Sequence, residues 1–200
     1  MTTPSWPFGD LQRGAYGVIL ADPPWKFRTW SAKGDGKPCP YPTMSIGEIA
    51  ALPVADLAAR DCLLVMWTTA PFLALSLDVL RAWGFRYSTA GSWAKLDGEG
   101  QPAKGTGYYW RSSSEPWLVG VKGQPGRVRG VAIPNSIIAE RREHSRKPDR
   151  LHADLERMYP AARKCELFAR AAREGWDAWG NEVGKFAAAP APTLPLVAAE

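Results

Sequence analysis

A carboxylic acid followed directly by two prolines and a tryptophan, Asp22-Pro23-Pro24-Trp25, stands at the end of the apolar run Tyr16 to Ala21. A carboxylate at Asp22 and the Pro23 backbone carbonyl, held out from a strand end, form a pair of hydrogen-bond acceptors. Such a pair suits an amine attached to an aromatic ring, whose nitrogen is a poor nucleophile while its lone pair is delocalised. Each acceptor takes one N–H, draws the nitrogen out of conjugation and fixes it for in-line attack on an electrophilic carbon at about 3 to 3.5 Å. Trp25 adds a flat surface on which the ring can stack, a contact worth roughly 1 to 3 kcal/mol per base. Two consecutive prolines stiffen the arrangement. Taken alone, the four residues also describe a strand-ending turn with a surface tryptophan.

The surrounding pattern says what must position the acid. Val18 and Ile19 make Tyr16 to Ala21 a buried strand, and Pro23 and Pro24 forbid both a further ladder bond and a helix. A polar Gly/Pro-rich loop runs through Pro42. Ser45 and Glu48 then match a capping box, which predicts a helix over 46–58. Cys62 to Trp67 reads as a second strand, and Pro71 suits the first turn of a helix over 72–83. Strands are expected at 85–95, 116–121, 136–139 and 164–169, and a helix at 149–159, whose apolar face is Leu151, Leu155, Met158 and Tyr159 and which Pro160 stops. This alternation predicts an α/β fold, an open Rossmann-like sheet, mostly parallel and flanked by helices, with ligands beyond the carboxyl ends of its strands. Asp22 lies at such an end. The expectation is a single domain over 1–186, followed by a flexible Ala/Pro-rich tail over 187–200.

Composition narrows the chemistry. Two hundred residues, 46% of them hydrophobic, suffice for one core but not for two generous ones. Cys39, Cys62 and Cys165 form no CxxC pair, and His144 and His152 are the only histidines. That excludes a disulfide framework and argues against zinc, so a metal-free mechanism is expected. The absence of a long apolar run and of a signal pattern at the start predicts a cytoplasmic protein with no membrane partner. The net charge is +5, and residues 127–150 carry seven basic side chains (Arg127, Arg129, Arg141, Arg142, Arg146, Lys147, Arg150) against three acidic ones. A phosphate-binding surface is the functional reading of that bias; a solvated mixed-charge face is the plain one. Asp97 to Tyr109, glycine-rich and running into Tyr108, Tyr109 and Trp110, could close over an extruded or single-stranded base.

Seven ordered blocks extend the tetrad: Ala21 to Trp25, Tyr41 to Ser45, Leu64 to Thr68, Glu115 to Gly123, Ser145 to Asp149, Lys164 to Arg170, and Trp179 to Glu182. In these blocks the chain resembles the adenine-N6 methyltransferase family that includes the catalytic subunit of the eukaryotic messenger-RNA adenosine methyltransferase and many bacterial and phage enzymes. The resemblance implies a class I methyltransferase fold, S-adenosylmethionine as donor and the exocyclic amine of adenine as target. It implies that Asp22 and Pro23 hold the amine, with Pro24 beside them, that Trp25 and Tyr41 line the base pocket, and that Glu115 sits on a substrate-side loop. Lys147, placed on the substrate side as well, would pair with the donor's carboxylate. Glu166 and Arg170 would contact the ribose hydroxyls, and Asn181 with Glu182 would complete the donor pocket. Three departures are visible: Ala169 where some relatives have glycine, a short spacing between Arg170 and Asn181, and Glu182 where eukaryotic relatives have an amide.

An acidic residue at a strand terminus also fits ribose recognition on general grounds. Nucleic acid is the expected partner, DNA favoured over RNA, with a monomer and a homodimer both open. Rival readings are an inactive nucleic-acid-binding partner of the same fold, which the intact tetrad disfavours, and a methyltransferase for a free nucleotide, protein or small molecule.

Overall fold

The computed structural model describes residues 5–26, 42–107, 109–128, 130–143 and 146–185. Seven strands form one sheet: β1 (Tyr16–Ala21), β2 (Ala58–Trp67), β3 (Arg86–Leu96), β4 (Ser114–Lys122), β5 (Ser136–Glu140), β6 (Lys164–Leu167) and β7 (Trp176–Trp179). Their order is β5-β3-β4-β2-β1-β6-β7. β1 is parallel to both β2 and β6, β6 to β7, and β3 to β5, whereas β4 is antiparallel to β2 and β3. The α/β, mostly parallel architecture expected from the sequence is therefore present, with β4 alone running against the other six.

Three α-helices of the described residues cover the sheet: α1 (Ile46–Ala50), α2 (Leu73–Ala82) and α3 (Arg150–Met158). Among the described residues, no helix is long and apolar enough to cross a membrane. The period-two alternation of β1 and β2 sends Ile19, Ala21, Leu64 and Met66 to one face, against Ile49, Val79, Leu80 and Trp83. Val18, Leu20, Leu63, Val65 and Trp67 face the other way, against Leu151, Leu155 and Trp176. An irregularity in the β1 ladder between Tyr16 and Val18 resets the phase, so Tyr16 packs on the first face with Ile19.

Several boundaries differ from the sequence expectation, each for a local reason. The capping box of Ser45 and Glu48 is present, but α1 stops at Ala50 instead of running to 58. Pro53 cannot continue a helix, and the chain takes a 3-10 turn at Val54–Asp56 before β2 begins at Ala58, four residues earlier than expected. The strand expected over 164–169 ends at Leu167, because Phe168 adopts a left-handed backbone with φ 62°. β7 was not expected at all: it is four residues long, lies between Gly175 and Gly180, and carries Asp177. The proposed 187–200 tail lies outside the described residues.

Candidate active site

The sheet topology determines which side chains meet. β1 has its two parallel neighbours on opposite sides and connects forward to one of them only, so the carboxyl ends of β1 and β6 flank a topological switch point. Asp22 sits there, and its N–H donates to Leu167 O at 3.3 Å, the last bond before the prolines. Trp25 N–H donates to Pro23 O at 2.9 Å and Met44 N–H to Pro24 O at 3.0 Å, which fastens the turn at both prolines. Among the described residues the Pro23 carbonyl thus has one backbone partner, which leaves a second lone pair for a ligand.

Because β4 runs backwards, its first residues lie at the rim where the other strands end: Trp117 pairs with Trp67, and Glu115 with Trp93. Glu115 therefore comes close to Asp22 although the two are 93 positions apart. Lys147, just ahead of α3, joins them: its Nζ lies 2.9 Å from Asp22 Oδ2 and 2.8 Å from Glu115 Oε1. Lys95, near the end of β3, takes the other Glu115 oxygen at 2.7 Å. The result is a largely buried chain of alternating charge, Asp22, Lys147, Glu115, Lys95.

Burial pushes the Asp22 carboxyl above its ordinary 3.8, with Lys147 pulling it back and Glu115 adding to the rise. Burial works against the charge on Glu115 too, but the two lysines outweigh it and hold that carboxyl low. Burial would likewise pull Lys147 down, yet Asp22 and Glu115 together hold it above 10.5. Glu115 is the pivot of the set, an anion compensated by two cations. Removing one member of such a buried pair leaves an uncompensated charge.

Beside the charge chain lies a groove enclosing about 540 Å³, open solvent included, lined by Asp22, Pro24, Phe168, Arg170, Asn181 and Glu182 among others. Phe168 forms one wall in its left-handed conformation and meets Trp179 edge to face at 5.3 Å. Gly180 lets two backbone segments touch: a Cβ there would lie 2.5 Å from Ala169 O. Arg170 Nε faces Glu182 Oε2 at 3.5 Å. Apolar ring surface next to an amide, a carboxylate and a guanidinium is a donor set that fits a nucleoside-containing ligand.

Not every expected residue lies in that groove. Glu166, paired in register with Leu20, shares that residue's face of the sheet, and its Oε2 lies 2.9 Å from His152 Nε2 on α3. Tyr41 lies outside the described residues. Trp25 departs from its expected role as a base-stacking wall: it is 3% exposed, stacks on Phe72 at 5.7 Å and donates Nε1–H to Trp67 O at 3.3 Å. Its indole is core, anchoring the turn from beneath. Lys147, expected at the donor's carboxylate, is engaged by Asp22 and Glu115.

Lys95 and His152 were missed. Lys95 could have been found only by extending the expected 85–95 strand into register with Glu115, and no local signal marks His152.

A family model described as MT-A70 matches residues 16–182. The Type II methyltransferase M.MunI of Mycoplasma sp is 35% identical over 195 residues, which span 88% of this chain and 81% of that protein. An N(6)-adenosine-methyltransferase MT-A70-like protein of Arabidopsis thaliana is 37% identical over 174 residues, 85% of this chain and 24% of the relative. The N(6)-adenosine-methyltransferase catalytic subunit METTL3 of Homo sapiens is 30% identical, with 85% and 28% covered. The chain thus spans most of the Mycoplasma protein's length and about a quarter of the plant and human relatives'.

Proposed function

Since the chain belongs to the MT-A70 family of N6-adenine methyltransferases, we propose that it transfers a methyl group from S-adenosylmethionine to the exocyclic amine of adenine in nucleic acid, DNA in preference to RNA. The observation that carries this reading is the position of Asp22: a carboxylate fixed at the switch point, ion-paired on one oxygen and bordering an open groove.

Asp22 Oδ1 and the second lone pair of Pro23 O accept the two amine hydrogens, which localises the nitrogen lone pair. Lys147 opposes the rise that burial imposes on the Asp22 carboxyl and holds it in one orientation. Glu115 and Lys95 in turn hold Lys147. The sulfonium donor, when bound, supplies an electrophilic methyl carbon. On the groove side, Phe168 offers an apolar face, while Asn181, Glu182 and Arg170 offer polar groups for the donor's nucleoside part. Glu166, bonded to His152 outside that groove, keeps in this reading the role of acceptor for the donor's hydroxyl groups.

The preference for DNA is supported by coverage: the relative matched over most of its length is the type II methyltransferase, while the adenosine methyltransferases are matched over a quarter. Incubation with methyl-labelled S-adenosylmethionine and matched adenine-containing DNA and RNA strands tests both parts. Label should enter adenine N6, more on DNA, and Asp22→Ala should abolish it. Undiminished incorporation by Asp22→Ala would overturn the site; equal or greater labelling of RNA would overturn the preference.

A further inference from the structure

β3 and β4 are joined at the rim that carries Asp22, and their connection is a built hairpin. Its root is tied by Ala103 N–H donating to Lys95 O at 2.8 Å and Lys95 N–H donating to Ser113 O at 2.8 Å. Higher up, Gly105 N–H donates to Ser112 O at 3.0 Å and Ser112 N–H to Thr106 O at 3.1 Å. Two glycines make this closeness possible. A Cβ at Gly105 would lie 2.4 Å from Ser112 O, and one at Gly107 would lie 1.8 Å from Trp110 O.

The turn holds Trp110 86% exposed and Tyr109 85% exposed, whereas all the tryptophans within strands of the sheet are at least partly buried. An indole held in water by a bonded scaffold forgoes a large apolar burial, and that calls for a partner.

Charge says what kind of partner. Lys104 and Arg111 flank the tip and are exposed. Arg141, also exposed, is brought to the same rim by its N–H bond to Leu96 O at 3.0 Å. Aromatic faces among cations are how proteins hold single-stranded nucleic acid, bases stacking while phosphates meet the charges. Reach agrees: Trp110 is five residues before Glu115, at most about 18 Å along the chain, a span of a few nucleotides.

We infer that Trp110 is a stacking platform for an unpaired base of the substrate strand, flanking the adenine to be methylated. The inference rests on the nucleic-acid reading above but adds a contact outside the pocket.

The test is fluorescence anisotropy of a fluorescein-labelled, adenine-containing single-stranded oligodeoxynucleotide against the full chain at fixed ionic strength. Trp110→Ala should weaken binding about tenfold or more, and Trp110→Phe should recover most of it. Ile138→Ala, an exposed apolar change on the edge strand, should leave binding unchanged. Equal binding by Trp110→Ala and wild type overturns the platform even where wild type methylates. Weakened binding by Trp110→Ala beside a wild type that methylates nothing supports the platform and overturns the enzymatic reading instead. Sedimentation of the free proteins completes the set: loss of an oligomer in Trp110→Ala would make the tip a protein contact and overturn the proposal.

Discussion

The two sides of the rim are built on opposite principles. On the β4 side, Asp22, Lys147, Glu115 and Lys95 satisfy one another through three contacts of 2.7 to 2.9 Å. On the β6–β7 side, polar groups line an open groove, and Glu182 there meets Arg170 at 3.5 Å and the partly exposed Lys185 at 2.6 Å. A group that must hold one amine in one direction gains from being immobilised beforehand, because its orientation is settled before the substrate arrives. A group that must receive and release a soluble ligand at every turnover gains from standing where solvent and ligand can reach it. The contrast predicts that damage to the first side shows in rate and stability, and damage to the second in donor affinity.

The largest break in that contrast is Asp22→Ala, which removes one of two acceptors from the reacting nitrogen. Methyl transfer should drop by about 10³-fold or more with donor affinity nearly unchanged, as measured by single-turnover kinetics and donor titration. Glu115→Ala comes next, because it leaves Lys95 and Lys147 facing each other without their shared anion. A loss of about 3 to 5 kcal/mol is expected in denaturant unfolding, while Glu115→Gln, which keeps hydrogen-bonding capacity, should lose less.

A pH profile sharpens the comparison further. With its carboxyl raised by burial, Asp22 takes up a proton above pH 3.8 on acidification, so the acid limb of kcat/KM should fall there. Lys147→Met removes the charge that restrains the rise and should move that limb to higher pH. Stability has its own signs. The lowered Glu115 contributes stability that is present above 4.5 and lost as pH falls through its folded value. The raised Lys147 contributes stability that is present below 10.5 and lost as pH rises through its folded value. The raised Asp22 opposes Glu115, being more easily accommodated when protonated. Unfolding midpoints across both ranges check these directions.

The smallest effect is expected from Glu182→Gln on the open side. It should change the donor KM by less than about tenfold and leave the unfolding free energy within about 0.5 kcal/mol of the wild type.

What the sequence made legible follows the range over which each force acts. β1 with its proline stop, α2 behind Pro71 and α3 with its apolar stripe rest on local patterns, and all three appear within a residue or two of expectation. β7 was lost because four residues carry too little alternation, and its place beside β6 is decided by pairing across the sheet. Asp22 was found as a candidate from its prolines, but its ion pair with Lys147 bridges 125 positions and no spacing rule anticipates it. Trp25 misled for the complementary reason: a tryptophan after a turn looks exposed until Phe72 and Trp67, distant in the chain, close over it.

The reversed strand has a consequence for how such a molecule can change over generations. Both roots of the 97–113 connection are pinned by ladder bonds, and Glu115 keeps its register through the Trp67 and Trp117 pairing whatever happens at the tip. Insertions, deletions and new side chains can accumulate in that finger without shifting the carboxylate below it. Target preference and bond-making power are thereby free to diverge, one varying while the other is inherited intact.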